Sequence, residues 1–385
     1  MVSLAAAWEG VDSRRSEGAD EYELERPSVM PSKEPVMTIK TEEGDVIDCV
    51  HIYAQPAFDN PLLKDHVIKT KPKGLEVTKE LLPQSHGAGI KNQRRCPQGT
   101  VPILRQLTNG HNALNIPPSY STNANAISNS EDYREFAAVR GQYASEVLGA
   151  VGNLNIWKPE VEPNEYSASR IIVLSGTSDG QLYQDHILAG WIVFPSKFSD
   201  SQPRFYTHWQ ANGTAGCFNL DCPGFVQVSP KQVFGGSLPA SAYKKIQIHI
   251  FVGIFKDEHG NWWLQFNQDP IGYWPGSLFP YLSSGANSTE WGGEILNTRP
   301  GGNRSTTQMG SGHPWFEGFR SAAYISSMRY VDRDDEKQQL QVVNVDSITP
   351  FVTNEGCNQA AYYGNDDWMH RHLFFGGTHN NSTCS

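Results

Sequence analysis

From Lys245 to Phe255 every second residue is aliphatic: Ile246, Ile248, Ile250, Val252 and Ile254 share one parity, while Gln247, His249, Phe251, Gly253 and Phe255 share the other. An extended chain turns successive side chains to opposite faces, so this period of two predicts a β-strand with one aliphatic face. The turn formers from Lys256 to Asn261 follow, and the chain returns as WWLQF, which predicts a β-hairpin with two adjacent tryptophans on opposite faces. Both faces of that hairpin then require cover.

The same texture of short apolar and aromatic runs broken by Gly, Pro, Asn and Asp extends over the chain from about Glu135, with hardly any stretch at helical period. Further strands are predicted at Arg170 to Leu174, His186 to Phe194, Arg204 to Gln210, Phe225 to Val228, Ala322 to Val331 and His372 to Phe375. So many short strands with no fixed-period repeat imply an all-β fold, an antiparallel two-sheet β-sandwich rather than a propeller or solenoid. Upstream, residues 1–35 are polar, acidic and aperiodic, and read as disordered. Residues 36–107 read as a small module with a hairpin at Glu43-Gly44 and its own pair of cysteines, Cys49 and Cys96. Residues 108–132, rich in Asn, Ser and Pro, read as a linker open to proteolysis, and residues 133–385 as the sandwich domain.

With 31 basic and 41 acidic residues the net charge is −10, without a basic stripe, which argues against nucleic acid as the partner. No apolar run approaches the ~18 residues of a membrane-spanning helix. The remaining cysteines, Cys217, Cys222, Cys357 and Cys384, complete an even set of six with no zinc-finger spacing, so disulfides are expected and no metal. Glycosylation sequons stand at Asn212, Asn287, Asn303, Asn380 and Asn381. Both features point to an extracytoplasmic protein. The first residues, MVSLAAAWEGVDSRRSEG, have no signal-peptide core, and a missing leader is the expectation that reconciles them with secretion.

Several words in this chain, in this order, carry a resemblance: TIKTEEGDVIDCVHIYAQPAFDNPLL, CPQGTVPILR, AGWIVFP, GCFNLDCPGFVQV, GNWWLQF, IGYWP, EWGGEI, MGSGH and FFGG. Together they resemble the neprosin family, plant proteins whose characterised type is a secreted glutamic endopeptidase that cuts beside proline. The resemblance covers about Met37 to the C-terminus. It implies a propeptide-like activation module ahead of a β-sandwich with a cleft across one sheet. It also implies that the cysteines pair in sequence order, Cys49 with Cys96, Cys217 with Cys222 and Cys357 with Cys384.

A glutamic peptidase needs one ionised carboxyl to take a proton from water and one neutral carboxyl to donate to the scissile carbonyl. The resemblance places one at the end of WGGE, here Glu294, and the other immediately before AGW, where this chain has Leu188. Loss of one partner removes about 10²- to 10⁴-fold in rate, and an apolar neighbour is expected to push Glu294 toward its neutral form. His186, on the same strand face as Leu188, is the weak substitute candidate, whereas Asp185 faces the other way. Glu290 stands four residues, ~13 Å along a strand, from Glu294. The family's Tyr-Trp-Thr-Ala-Asp-Gly-Tyr-like stretch is also altered here to THWQANGTAGC.

His370 and His372, with Asp366 and Asp367 upstream, share a strand face but read as structural, and Ser311 in MGSGH lacks the full nucleophile elbow. No cofactor is expected. The sequence therefore points to a neprosin-type peptidase fold, catalytically impaired at Leu188, that binds peptides or wall polymers, with proline-rich peptides the class the resemblance implies. The alternative is a secreted acid glutamic endopeptidase made as a zymogen, with Glu294 and a second group still to be assigned.

Overall fold

The structure, a computed structural model, describes residues 23–74, 95–105, 120, 134–178, 182–213, 216–299, 305–334, 336, 339–345, 347–364 and 366–377. The N-terminal module contributes β1 (Met37–Lys40), β2 (Val46–His51) and β3 (Thr100–Leu104). The sandwich begins with β4 (Arg134–Val147), β5 (Gly149–Asn155), β6 (Tyr166–Ser178), β7 (Leu182–Val193), β8 (Arg204–Gln210) and β9 (Cys217–Phe218). Next come β10 (Val226–Gln227), β11 (His249–Lys256), β12 (Trp262–Phe266), β13 (Asp269–Trp274) and β14 (Ala286–Leu296). It ends with β15 (Ala323–Asp334), β16 (Gln339–Asn344), β17 (Ile348–Val352), β18 (Asn358–Tyr363) and β19 (His372–Gly377).

Among the described residues these strands make three sheets, and every strand pair is antiparallel. The front sheet runs β17-β4-β14-β6-β7-β8-β9, and the back sheet β10-β13-β12-β11-β5-β15-β19-β18 with β16 added to β15. Their facing sides interdigitate in one core that includes Ile171, Trp191, Phe205, Val252, Trp262 and Trp291, as the aliphatic parity of β11 requires. Two front-sheet indoles reach across to β5: Trp191 Nε1 donates to the Asn155 carbonyl at 2.9 Å and Trp291 Nε1 to the Val151 carbonyl at 3.1 Å. Each tryptophan thus buries a large apolar ring and still satisfies its only donor.

The module lies on the outer side of the back sheet. Val50, Ile52, Tyr53, Leu63, Ile68 and Val101 form one apolar cluster with Phe251, Phe255, Trp263 and Tyr273. The second face of the β11–β12 hairpin is therefore covered by the module, with Trp262 in the inter-sheet core and Trp263 beneath the module. Gln55 docks the two parts like a strand: its amide Nε2 donates to the Gln227 carbonyl at 2.9 Å while its Oε1 accepts from the Gln227 N–H at 2.7 Å. Arg204 Nη1 reaches Asp45 of the module at 3.0 Å.

Disulfides join Cys49 to Cys96 and Cys217 to Cys222. Cys357 is also disulfide-bonded, while Cys384 lies outside the described residues. Three expectations change. The strand predicted from Lys245 begins at His249, because Lys244 takes a left-handed backbone (φ 54°) and the Arg320 side chain holds the carbonyls of Lys244 and Lys245, leaving Ile246 exposed. Within the segment read as disordered, Glu23 bridges to Lys69 and the Leu24 N–H donates to Ile68 at 2.9 Å, so tertiary contacts order residues that have no local pattern. His370 sits in a left-handed turn (φ 56°) before β19 rather than on a strand face with His372, which stacks on Tyr363. The linker lies outside the described residues except for Tyr120, as does the N-terminal stretch before Glu23.

Candidate functional site

The outer face of the front sheet carries the residues that the sequence singles out. On β14 the parity of Trp291 and Ile295 points into the inter-sheet core, which turns Glu290 and Glu294 to the outer face. On β7 the parity of Ile187, Ala189 and Trp191 points inward, which turns His186 and Leu188 outward. All four outward side chains are nonetheless buried.

Register decides which of them meet. Glu290 pairs across β6 with Ile172, which pairs with Leu188, which pairs with His208. Leu188 therefore stands in the row of Glu290, two strands or about 10 Å across. Glu294 lies two rows further on, in the row of Ala168 and Ile192. The two positions expected to form a carboxyl pair share a face but not a row.

Between those rows stands Arg170, fully buried and paired with Gly292 on one side and Gly190 on the other. Its Nε donates to Glu294 Oε2 at 2.6 Å and its Nη2 to Glu290 Oε2 at 2.9 Å. Arg140 binds the other oxygen of Glu290, with Nε at 2.7 Å. Tyr166 donates to Glu294 Oε1 at 2.6 Å, and Tyr120, from the linker, donates to Glu294 Oε2 at 3.0 Å. Burial alone would push the Glu294 carboxyl up, but the guanidiniums of Arg170 and Arg134 and the Tyr166 hydroxyl outweigh it and hold Glu294 below the ordinary glutamate value. The expectation of a neutral Glu294 is thus corrected: Leu188 is apolar, but the groups that touch Glu294 are cationic or hydrogen-bond donors.

Leu188 belongs to an apolar cluster with Tyr120, Phe136, Ile172, Ile192 and Tyr206. His186, the substitute candidate, is fully buried. Its Nε2 pairs with His208 Nδ1 at 2.9 Å, the two rings stack, and the Tyr120 ring meets it edge-on at 4.9 Å. Burial, then His208 and the arginines, hold His186 well below the usual histidine value; burial and Arg134 push His208 down to about 4. Asp185 faces the other way, as expected, and accepts backbone N–H groups of Asn212, Tyr281 and Leu282.

Sequence reasoning missed Tyr120, Arg134, Arg140, Tyr166, Arg170 and His208. One signal for Arg170 was present, a charged residue in the middle of the apolar run SASRIIVL, where burial demands a partner. His208 lies in the altered THWQANG stretch. Of the sequons, Asn212 is exposed in a turn after β8, Asn287 is half-buried in β14, and Asn303, Asn380 and Asn381 lie outside the described residues. Among the described residues no group of His, Cys, Asp and Glu has the arrangement of a metal site, and no helix is long and apolar enough to cross a membrane.

Chemically, the site is a buried ionic network with one aromatic ring inserted. Water activation by a carboxyl pair needs one ionised and one neutral member; Glu294, held below the ordinary glutamate value, suits the ionised one.

Similar structures include a scytalido-glutamic peptidase with a peptide-based transition-state analogue, 8% identical, with a TM-score of 0.34 over 64% of this chain and 98% of that one. Another is SCP-B, an eqolisin-family peptidase in complex with the tripeptide Ala-Ile-His, 8% identical, with a TM-score of 0.33 over 64% and 98%. A carbohydrate-binding module from Bacillus subtilis aligns at 10% identity, with a TM-score of 0.22 over 42% and 78%. The pattern of the neprosin activation peptide matches residues 38–142, and that of neprosin itself matches residues 163–378. The second match contains Arg170, Leu188, Glu290 and Glu294 of the front-sheet site, and the first contains Tyr120, Arg134 and Arg140; the chain belongs to the neprosin family and has an N-terminal activation-peptide module.

Proposed function

We propose that this protein is a non-catalytic member of its family that uses the front-sheet cleft to bind peptides or wall polymers. The observation that carries this reading is the state of the two positions on which family chemistry depends. One is the apolar, buried Leu188, and the other is Glu294, fixed as a carboxylate by Arg170 and two tyrosine hydroxyls. Neither can donate a proton to a scissile carbonyl, and His186 is turned to His208 rather than to Glu294. The disulfides favour an extracytoplasmic site of action, because such bonds persist in oxidising compartments. Glycosylation at the exposed Asn212 belongs to the same reading.

A second reading, an acid glutamic endopeptidase held as a zymogen, is favoured by one feature, the linker residue Tyr120 seated on Glu294. Cleavage of a library of proline-containing fluorogenic peptides between about pH 2 and about pH 7 separates the two. The acid-incubated protein is assayed beside Leu188→Glu and Glu294→Gln. The binding reading expects a silent parent; a parent that cuts, and stops cutting with Glu294→Gln, overturns it and demands a second catalytic group.

A further inference from the structure

The space beside Glu294 that Tyr120 fills is lined as a receptor for a phenol. The hydroxyl donates to the Glu294 carboxylate at 3.0 Å. The ring lies under the guanidiniums of Arg134 and Arg170, whose central carbons are 4.7 and 5.2 Å from its centre. His186 at 4.9 Å and Phe136 at 6.1 Å close it edge-on. A carboxylate, two cationic planes and two aromatic edges together match both the polar tip and the electron-rich faces of one side chain type.

Tyr120 does not use everything the site offers. With Nε on Glu294 and Nη2 on Glu290, Arg170 keeps Nη1 buried without a partner, and His186 keeps Nδ1 buried without one. A buried guanidinium N–H left unmet is costly, and that of Arg170 marks a site that a fuller ligand, with a carbonyl beside its aromatic ring, would satisfy better. The Tyr120 carbonyl itself accepts from the Tyr183 N–H at 2.9 Å at the start of β7, so the occupant lies against a strand as a peptide ligand would.

We propose that this pocket is a tyrosine-recognition site, in which Tyr120 is the ligand carried by the chain itself and a tyrosine of a partner peptide takes its place. The inference rests on reading the cleft as a peptide-binding surface and names the side chain it selects. Phenylalanine would bury the same ring without a donor for Glu294, and phosphotyrosine would set its phosphate against that carboxylate. Burial and the neighbouring Glu294 push the Tyr120 hydroxyl up, so the phenol keeps the proton it donates.

The test uses the full chain with Tyr120→Ala, titrated with N-acetyl-tyrosinamide, N-acetyl-phenylalaninamide and a tyrosine-free, proline-containing peptide, and read by calorimetry and melting temperature. Tyrosinamide is expected to bind and raise the melting temperature, with phenylalaninamide weaker by roughly tenfold to a hundredfold. Glu294→Gln in the same background is expected to erase most of that preference. Equal binding of the two amides, or no response to either, overturns the proposal. Binding of the proline-containing peptide with no response to tyrosinamide overturns only the tyrosine pocket and leaves the wider reading of the cleft in place. Should Tyr120→Ala not fold, Tyr120→Phe is titrated in the same way, and absence of any tyrosinamide-induced melting shift there overturns the proposal.

Discussion

Tyr120 and Glu294 meet at 3.0 Å across 174 residues of sequence, which makes the linker part of the site it precedes. Beside that contact Arg170 ties together the two carboxylates of β14, Glu290 and Glu294.

Arg170 is the keystone of the network, so its removal is expected to be severe. Arg170→Met leaves Glu290 and Glu294 buried without their shared partner, and a broken buried ion pair costs about 3 to 5 kcal/mol. Denaturant unfolding should show that loss. The double variant Arg170→Met/Glu294→Gln should lose clearly less than the sum of the single changes, since it removes part of the uncompensated charge.

The stacked pair His186 and His208 makes the fold acid-sensitive. Both are held below the ordinary histidine value, His208 at about 4, so the unfolded chain takes up protons at a higher pH than the folded one. Stability is therefore full above about pH 6.5 and falls as pH drops toward about 4, with His208 alone contributing roughly 3 kcal/mol to that fall. Glu294, held below its ordinary value, adds a loss of the same sign at lower pH. Unfolding free energies of the parent and His208→Phe between about pH 4 and about pH 7 check this; the variant should show a shallower slope.

Leu188→Glu places a carboxyl among Ile172, Tyr206 and Ile192. Burial raises its pKa in the folded state, so the cost appears as pH rises through the unfolded value near 4.3 and should reach about 2 to 4 kcal/mol at neutral pH. Below about pH 4 the introduced group is neutral in both states and most of that cost should vanish. A stability difference that does not change with pH would show that the carboxyl reaches solvent or a cation.

Gln55→Ala removes the side chain that pairs with both backbone groups of Gln227. The Gln227 N–H and carbonyl then lie buried and unmet, at about 1 to 3 kcal/mol each. Hydrogen exchange should show loss of protection at the Gln227 amide and along β2 and β3, while β6, β7 and β14 keep theirs.

Strands were legible where their pattern was clean: β8 runs from Arg204 to Gln210 as the alternation predicts, β19 of the back sheet contains the predicted segment His372 to Phe375, and β7 ends at Val193, one residue short of the predicted Phe194. β4 and β5 were missed, because Ala137, Ala138, Gly149 and Gly152 give little contrast between the two faces. The front-sheet placement of Leu188 and Glu294 followed from motif words, but their relation to one another did not.

What the sequence determined by itself is local: the period of two in β11, the turn after it, the opposed tryptophans and the leucine at position 188 all reside in contiguous residues. Only the tertiary structure decided that Leu188 shares a row with Glu290, that Arg170 holds both glutamates, and that Tyr120 lies on Glu294. The physical reason is that cross-strand neighbours are set by the register of strands far apart in the chain. The charge state of Glu294 follows from those neighbours rather than from the residues beside it in sequence.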